Sequence, residues 1–547
     1  MRLLMASRVL CSLLLSCLPL LQASAADCPA DGSLDPAALE AAGAVIGELR
    51  FLRRNVFDTE LPEENKALFR AANRLHRLSR ESTLRRPLLI EEGQPYRHRL
   101  LQESARLLRS TEYLREAELR PVACVDGRVT VEVETRDVWS LNPGIAGSRR
   151  GGESSFGIDL EESNLAGRGA LLRLSRRGDA DRNSTALRYR NDHELGRWRG
   201  VDVAYENNSD GRGFLVGVQK PFYALDAREA WGLRVDHLTQ VESFYELGEE
   251  VSEYRQRNRD LDVWWGRSAG LLDGRVLRWS VGLRDQQRDF LPARDPELLG
   301  PVPEDRHLAG PWVGLEYIRD EWEVLRNYDQ IDITEDALLG TRLSARLGRS
   351  EESLGADRDA WWLEGEGSRG WRFARGDLLR FSSHFGLRQE AGNTRNFSLT
   401  GDLRYYRQTG PRRLFFAELE GQYGHDLDLD NRVYLGGDTG LRGYPLRWVG
   451  GESSARLSIE QRYFTDWYPW RLFRVGGAVF ADVGRVWGRD PLDRPNPGRL
   501  ANVGMGLRLS NTRSAFARLI HIDIAVPLDS DPRLESVEFV LEARRAF

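Results

Sequence analysis

The chain has 547 residues, of which 41% are hydrophobic and 29% charged, and its formal net charge is −5. This balance excludes a strongly basic nucleic-acid-binding protein, because phosphate recognition requires an excess of Lys and Arg. After the N-terminus no run approaches the ~18 apolar residues of a membrane-spanning helix, whereas a transmembrane β-strand needs only ~9–11 alternating residues. A membrane protein built of helices is therefore excluded, and one built of strands is not.

The N-terminus has the three parts of a secretory signal peptide. Arg2 precedes an apolar run at residues 9–21, and the small residues 23–25 supply a cleavage site. We therefore predict a signal peptide over residues 1–25. The alternative is a lipoprotein signal with lipid attached at Cys17, although such a site would cut the apolar run in half.

Two cysteines remain after cleavage near residue 25, because Cys11 and Cys17 are removed with the signal peptide. Cys28 and Cys124 then lie in an oxidising compartment, where thiols can pair. A disulfide between them would join the N-terminal segment 26–43 to the first folded domain, with a gain of about 4 kcal/mol in the chain-entropy model. Two free thiols are the alternative, and no metal-site spacing accompanies either cysteine.

Residues 44–138 have the pattern of a small α/β domain. Apolar periodicity and turn residues predict the order β-α-α-β-β. Strands are predicted at 44–51, 113–122 and 128–135, and helices at 62–78 and from Pro95 onward. The predicted buried face of the first helix consists of Leu68, Ala71, Ala72, Leu75 and Leu78. The predicted buried face of the second helix consists of Leu100, Leu101, Ala105, Leu107 and Leu108.

Residues 139–547 show strand patterns without convincing amphipathic helices. The clearest alternation lies at 475–487, 502–509, 519–526 and 537–547, where one face is apolar and the other carries Gly and polar residues. This pattern is typical of a transmembrane antiparallel β-barrel with lipid outside and a polar lumen. About 400 residues at roughly 25 per strand and connection predict ~16 strands. A soluble sandwich or propeller would also alternate, but no repeat of blade length is present.

Motifs for catalysis and metal binding are incomplete. The serine-containing segments 152–156 and 451–455 lack the closing glycine of a nucleophile elbow. The aspartates of segment 426–431 begin like a calcium loop, but the turn glycine and the closing glutamate are missing. We therefore predict no enzymatic activity, no metal and no cofactor, and we expect these aspartates to lie on a solvated loop rim.

One glycine-rich segment with a single arginine lies between two strand patterns: Tyr434-Leu435-Gly436-Gly437-Asp438-Thr439-Gly440-Leu441-Arg442-Gly443-Tyr444. On the following strands, the apolar faces alone predict that Glu460 and Asp482 point into the lumen. An arginine fork in a barrel can bind two carboxylates through charge-assisted hydrogen bonds. The alternative is one ordinary arginine–acid ladder among many in a polar lumen.

The string Leu-Gly-Gly…Leu-Arg-Gly-Tyr resembles the signature loop of the BamA/TamA superfamily, the POTRA-bearing outer-membrane assembly and translocation barrels also called bacterial surface antigens. The resemblance implies a lid that folds back into the lumen, in which Arg442 contacts Glu460 and Asp482 on the next two strands. The implied lid motif consists of Gly436, Gly437, Leu441, Arg442, Gly443 and Tyr444.

The resemblance further implies one periplasmic POTRA domain at 44–138, a barrel at 139–547 in the bacterial outer membrane, and an early periplasmic turn at 164–169. The POTRA domain would bind an extended client polypeptide by β-augmentation. The barrel would assist its insertion or translocation through a weak seam between strands near 141–148 and 537–547. The alternatives are a dedicated exporter of one partner protein and a passive porin or surface antigen.

Overall fold

The computed structural model describes residues 27–30, 32–179, 181–373, 376–488, 497–514 and 519–544. The predicted signal peptide with Cys11 and Cys17, and the terminal Phe547, lie outside the described residues. The α-helices are α1 (Pro36–Ala41), α2 (Ala67–Leu75), α3 (Glu81–Arg85) and α4 (His98–Arg109). Short 3-10 helices lie at Leu165–Gly167, Pro296–Leu298, Glu352–Leu354, Gly437–Thr439 and Pro469–Arg471.

The strands, in chain order, are β1 (Val45–Arg54), β2 (Leu114–Val125), β3 (Arg128–Asp137), β4 (Leu141–Arg150), β5 (Glu153–Glu162), β6 (Leu171–Gly178), β7 (Asn183–Asn191), β8 (Gly200–Asn208), β9 (Arg212–Lys220), β10 (Glu229–Glu246), β11 (Glu249–Leu272), β12 (Arg275–Pro292), β13 (Arg306–Arg319), β14 (Trp322–Arg326), β15 (Thr334–Leu338), β16 (Arg342–Ser350), β17 (Ala360–Arg372), β18 (Leu378–Glu390), β19 (Asn393–Gly410), β20 (Arg413–His425), β21 (Val433–Leu435), β22 (Val449–Gly451), β23 (Ser453–Phe464), β24 (Phe473–Trp487), β25 (Arg499–Asn511), β26 (Leu519–Pro527) and β27 (Glu538–Arg544). No helix in the described part of the chain is long and apolar enough to cross a membrane.

The small N-terminal domain is a three-stranded sheet covered by helices. Its strand order is β1-β3-β2, with β1 parallel and β2 antiparallel to β3. Val129, Val131 and Val133 of the central strand are fully buried. Helix α4 packs on them through the predicted face, in which Leu101 and Leu108 are fully buried. The structure therefore contains the predicted β-α-α-β-β order, with the short helices α1 and α3 in addition.

The first predicted helix differs from the structure in both its start and its buried face. Helix α2 begins at Ala67, and Leu68 and Leu75 are 72% and 77% exposed. Phe69 is buried instead, with its ring stacked on that of Phe57 at 4.3 Å between centroids. Because an aromatic ring buries more apolar area than a leucine, the contact with Phe69 determines the rotation of the helix.

A disulfide joins Cys28 to Cys124, with the two Cα atoms 5.8 Å apart. Cys124 lies near the end of β2, so the bond attaches the N-terminal segment to this strand. Of the two possibilities that the sequence leaves open, the structure contains the paired cysteines.

Within the described residues, twenty strands form a closed barrel. Going around the wall, β4 to β13 are followed by β16 to β20 and then by β23 to β27, and β27 closes on β4. The expectation of ~16 strands was wrong, because two-residue turns such as 273–274 and 391–392 use less chain than we assumed. Turns of this length connect antiparallel neighbours directly.

The predicted alternation along the strands is confirmed. On β25, Val503, Met505 and Leu507 are exposed on the outer face, whereas Asn502 and Arg508 are each 1% exposed and point into the lumen. Adjacent residues of a strand point to opposite faces, so each strand supplies both surfaces. The low average hydropathy of the chain follows from this alternation.

The small domain lies against one end of the barrel, which we call the proximal mouth; the other end is the distal mouth. The turn at 164–169 contacts this domain directly. Asn164 Nδ2 donates to Ser79 Oγ at 2.8 Å, and the Gly167 carbonyl accepts from Thr83 Oγ1 at 2.7 Å. On another side, Arg513 Nη1 donates to the Val56 carbonyl at 2.6 Å. These contacts fix the domain beneath the lumen.

Two hairpins outside the wall enter the lumen from opposite ends. We call residues 433–451, with β21 and β22, the lid, and residues 322–338, with β14 and β15, the plug. The lid connects β20 to β23 at the distal mouth, and the plug connects β13 to β16 at the proximal mouth.

Candidate functional site

The backbone of the lid approaches the barrel wall so closely that two of its glycines have no room for a side chain. A Cβ on Gly437 would lie 2.8 Å from the Cα of Gly151 in the β4–β5 turn, and a Cβ on Gly443 would lie 2.8 Å from the Cβ of Asn502 on β25. Gly440 has φ +95°, in the left-handed region that favours glycine. The glycines of the motif therefore allow a compact loop against the wall.

Apolar side chains of the lid form a small core inside the lumen. Tyr444 anchors one side of it, since its hydroxyl accepts from the Ala501 amide at 2.9 Å and contacts Asp529. Burial of this apolar surface stabilises the docked lid. The core consists of Leu435, Leu441, Tyr444, Trp448 and Val449 of the lid with Val486 and Leu500 of the wall.

The structure places Arg442 against both predicted carboxylates. Its Nε and Nη2 donate to the two oxygens of Asp482 at 2.9 and 2.8 Å, and Nη1 donates to Glu460 Oε1 at 2.7 Å. Nη2 also donates to Ser458 Oγ at 3.2 Å, and the guanidinium carbon lies 3.3 Å from the centre of the Phe480 ring. A lysine could not make this set of contacts, because only guanidinium has a planar fork of five donors.

Three further buried charges complete this site, and sequence reasoning did not connect them to it. Asp523 lies 3.5 Å from Arg442, Arg462 Nε donates to Glu460 Oε2 at 2.8 Å, and Arg508 contacts both acids. The predicted faces of β25 and β26 placed Arg508 and Asp523 in the lumen, but nothing in their spacing linked them to the lid. Three arginines thus face three carboxylates, and the network is neutral.

The predicted seam strands, β4 and β27, close the barrel. Between them the described residues form one registered pair, Leu541 with Arg149. By contrast, β27 forms seven such pairs with β26, and β4 forms ten with β5. The lid passes close to this closure, since a Cβ on Gly151 in the β4–β5 turn would lie 2.3 Å from the Leu446 amide nitrogen. Within the part of the chain that the structure describes, the closure is therefore the least paired contact of the wall, and it has the lid beside it.

The plug reaches across the proximal mouth to the opposite wall. Asp329 accepts from Tyr406 Oη at 2.6 Å and from Arg380 Nη1 at 2.7 Å, and the Ile331 carbonyl accepts from Ser510 Oγ at 3.2 Å. An apolar cluster holds the plug against the wall. It consists of Leu325, Tyr328 and Ala337 of the plug with Leu378, Tyr406, Leu414 and Phe416 of the wall.

The tip of the plug is organised around one buried carboxylate. Glu335 accepts from the amides of Tyr328, Asp329 and Gln330 at 3.1, 2.9 and 3.1 Å. Burial and the neighbouring Asp329 raise the pKa of Glu335 to about 7, although these amide bonds act in the opposite direction.

Plug and lid are connected through two side chains of the wall strand β23, Arg462 and Glu460. Arg462 Nη1 donates to the Tyr328 carbonyl of the plug at 3.2 Å, while its Nε binds Glu460. Glu460 in turn binds Arg442 of the lid. Sequence reasoning missed the plug, because its two short strands have the same pattern as strands of the wall.

The aspartates at the start of the loop after β20 are paired with arginines. The expectation of a solvated rim holds only for Asp426, whose side chain is 42% exposed. No group of three residues that could hold a metal ion is present in the described ranges. The contacts are Asp426 with Arg395, Asp428 with Arg388 and Asp430 with Arg306.

Comparison with known proteins identifies an Omp85 superfamily domain at residues 371–541, which include the lid, Glu460 and Asp482. Among solved structures, CdiB from Escherichia coli is 15% identical with a TM-score of 0.44, covering 91% of this chain and 76% of that chain. CdiB from Acinetobacter baumannii is 12% identical with a TM-score of 0.42, covering 91% and 73%. BamA from Haemophilus ducreyi lacking POTRA domains 1–3 is 13% identical with a TM-score of 0.35, covering 91% and 84%. No curated protein sequence gave a match.

Proposed function

We propose that this chain, whose residues 371–541 are an Omp85 superfamily domain, assists insertion or translocation of client polypeptides at the bacterial outer membrane. The observation that carries the proposal is the contrast between the occupied lumen and the poorly paired seam. The lid enters the lumen from the distal mouth and the plug from the proximal mouth, and each packs on the wall there. Among the described residues, the wall is least paired between β4 and β27. A client therefore has a lateral route that needs few hydrogen bonds to be broken.

The small domain acts as a single periplasmic POTRA domain in this proposal. Its edge strand β1 is covered by the loop between α3 and α4, since the Ile46 amide donates to the Gln94 carbonyl at 2.9 Å and the Gly93 amide to the Ile46 carbonyl at 2.7 Å. Among the described residues no strand pairs with the outer edge of β2. An extended client can add to that edge through main-chain hydrogen bonds.

The proposed mechanism involves no covalent step. The free energy for insertion comes from burial of the client's own apolar strand faces in the bilayer. The protein lowers the barrier by presenting a seam whose edges can pair temporarily with client strands. The lid holds the resting barrel in register near the seam, because it contacts the wall on both sides of the seam. On the β4 side it lies against Gly151, and on the β27 side Tyr444 of the lid binds Ala501.

Export of one dedicated partner is the second candidate. It would route the partner through the lumen after withdrawal of lid and plug, and the polar side chains around Arg442 suit a hydrophilic partner. A passive porin is disfavoured, because lid and plug both occupy the lumen.

A disulfide across the seam tests the lateral route. Arg149→Cys with Leu541→Cys joins two directly opposed residues of β4 and β27. Ile524→Cys with Phe539→Cys joins opposed residues of β26 and β27 and is the matched control. The seam lock should deplete client proteins from outer-membrane and surface proteomes, and the control lock should not. Unchanged proteomes with a fully formed seam lock would contradict lateral insertion.

The Arg442→Ala variant tests the lid. We expect higher ionic conductance in planar bilayers and altered client insertion or export, because the docked lid loses its central contacts. If the variant assembles normally with unchanged conductance and client levels, the lid has no part in the mechanism.

A further inference from the structure

Arg109, at the end of α4, connects the small domain to the plug. Its Nε and Nη2 donate to the two carboxylate oxygens of Asp336 on the plug at 2.7 and 2.6 Å. Its Nη1 donates to the carbonyl of Ala117 on β2 at 2.8 Å. The side chains of Arg109 and Asp336 are each 14% exposed, so this bidentate pair is largely shielded from water.

The Ala117 carbonyl belongs to the free edge of the sheet. Ala117 is opposed to Thr135 of β3. In an antiparallel pair, residues alternately direct both backbone groups toward the partner strand or away from it. Pro121 lies four residues farther along β2 with no register shift in between, and a strand proline lies where its nitrogen faces away from the partner strand. By the same alternation the backbone groups of Ala117 point away from β3, and Arg109 binds the Ala117 carbonyl at this edge. This carbonyl is therefore one of the groups that an added strand would use.

We propose that the plug is a gate and that Arg109 latches it to the client-binding edge. A client strand that pairs with β2 takes the Ala117 carbonyl, displaces the Arg109 fork and releases Asp336, so that the plug leaves the proximal mouth. This inference rests on the proposed function, in which clients add to β2. It adds the regulation of that site: the mouth opens when the edge is occupied.

Among the described residues, the pair of Arg109 with Asp336 is the one ion pair that joins α4 to the plug, so it is the main polar link between the small domain and the plug. A cavity of about 550 Å³ lies between them, lined among others by Leu107, Trp322 and Asp336. The Arg106 guanidinium lies 4.8 Å from the centre of the Trp322 ring, where the contact is a cation–π interaction. An interface with a cavity lacks the packing that would hold it once its ion pair is broken.

The far end of the plug extends the effect to the lid. Arg462 binds the Tyr328 carbonyl and Glu460, and Glu460 binds Arg442. Withdrawal of the plug removes one acceptor from a buried arginine that also supports the lid network. Release at the proximal mouth therefore weakens closure at the distal mouth.

A buried reporter cysteine in the plug tests the latch. Ile331 is 2% exposed in the docked plug, so Ile331→Cys reacts slowly with a maleimide reagent until the plug leaves. In the full chain in lipid nanodiscs, we expect Asp336→Asn to raise the labelling rate about tenfold, because a shielded bidentate ion pair is lost. Asp226→Asn is the matched control, since it breaks a contact of Arg99 on the same helix without touching the plug. Arg109→Lys keeps the positive charge but cannot form the bidentate pair with Asp336. It is the second test variant, to be used if Asp336→Asn does not fold.

A client-like probe separates this inference from the proposed function. The probe is a synthetic fluorescent peptide with the sequence of residues 537–547, and its binding is followed by anisotropy. In the chain that carries only Ile331→Cys, we expect peptide binding to raise the labelling rate about as much as Asp336→Asn does. In the chain that also carries Asp336→Asn, we expect the peptide to raise the rate little further. Binding without any change in labelling overturns the gate and leaves the proposed function intact. If the peptide does not bind, the proposal that clients add to β2 is contradicted. If the labelling rate is unchanged in both Asp336→Asn and Arg109→Lys, the latch is overturned whatever the peptide does.

Discussion

Replacement of Arg442 by methionine should release the lid without unfolding the barrel. Methionine has a similar length and no charge, so the change removes the ion pairs with Glu460 and Asp482 and little volume. Asp482 keeps its bonds from Ser458 Oγ at 2.6 Å and Asn502 Nδ2 at 2.8 Å. The three carboxylates then face two arginines, and the network carries one uncompensated negative charge.

The expected cost is large, because the site is buried. Side-chain exposure is 9% for Arg442, 6% for Glu460 and 0% for Asp482. Loss of one partner from a buried ion pair costs about 3–5 kcal/mol. At about 1.4 kcal/mol per factor of ten, the docking equilibrium of the lid should fall roughly 10²- to 4 × 10³-fold.

Hydrogen exchange of the lid amides at residues 435–451 measures this equilibrium directly, since local opening exposes them below the free energy of global unfolding. Arg447→Met is the matched control on the same loop. Arg447 pairs with Asp181 at 2.7 Å, with side chains 26% and 28% exposed, so water screens this pair more than it screens the pairs of Arg442, and its loss should cost less. Asp482→Asn added to Arg442→Met should restore part of the protection, because it returns the network to neutrality. Lid protection in Arg442→Met within about fivefold of wild type would refute the reasoning.

Three further outcomes follow from the structure. Cys28→Ser with Cys124→Ser should lower the stability of the small domain by up to about 4 kcal/mol, measured by urea unfolding followed with domain-specific proteolysis; an unchanged midpoint would rule out a stabilising crosslink. Leu101→Ala should cost about 2–5 kcal/mol in the same assay and Leu68→Ala less than about 0.5, and equal effects would contradict the observed faces. The pKa of Glu335 is raised from an ordinary value of 4.5 to about 7, so the docked plug holds a proton that the released plug loses more easily. This proton stabilises the docked plug fully below pH 4.5, and the stabilisation is lost as the pH rises through 7. Reporter labelling in the plug should therefore increase between pH 5.5 and 8 in excess of the reagent's own pH dependence, and Glu335→Gln should remove that excess; an equal excess in both proteins would exclude Glu335 as its source.

Strand faces were predictable from sequence because alternation with a period of two is a local property. Glu460 and Asp482 could be assigned to the lumen from their apolar neighbours alone, and the structure places both there. The number of strands was not predictable in this way, since it depends on the length of each turn. The rotation of α2 was also missed, because Leu68 and Phe69 offer two apolar faces and only tertiary packing selects one.

The plug and the outer part of the charge network depend on contacts far apart in the chain. Arg109 and Asp336 are 227 residues apart, and Arg462 donates to a carbonyl 134 residues away. No local pattern specifies such pairs. The role of Arg442 was predictable because its loop resembles a family motif, whereas the plug carries no such motif.

The free edge of β2 is short, and this limits how long a client can stay. Arg109 occupies the carbonyl of Ala117 at one end. Toward the other end Pro121 has no amide hydrogen to donate, and Cys124 is tied to the N-terminal segment. Only a few main-chain hydrogen bonds are available to a visiting strand, so the dwell time is set by a small number of contacts. A capture surface of this size suits brief encounters followed by rapid handover, and a longer edge would retain the cargo it is meant to pass on.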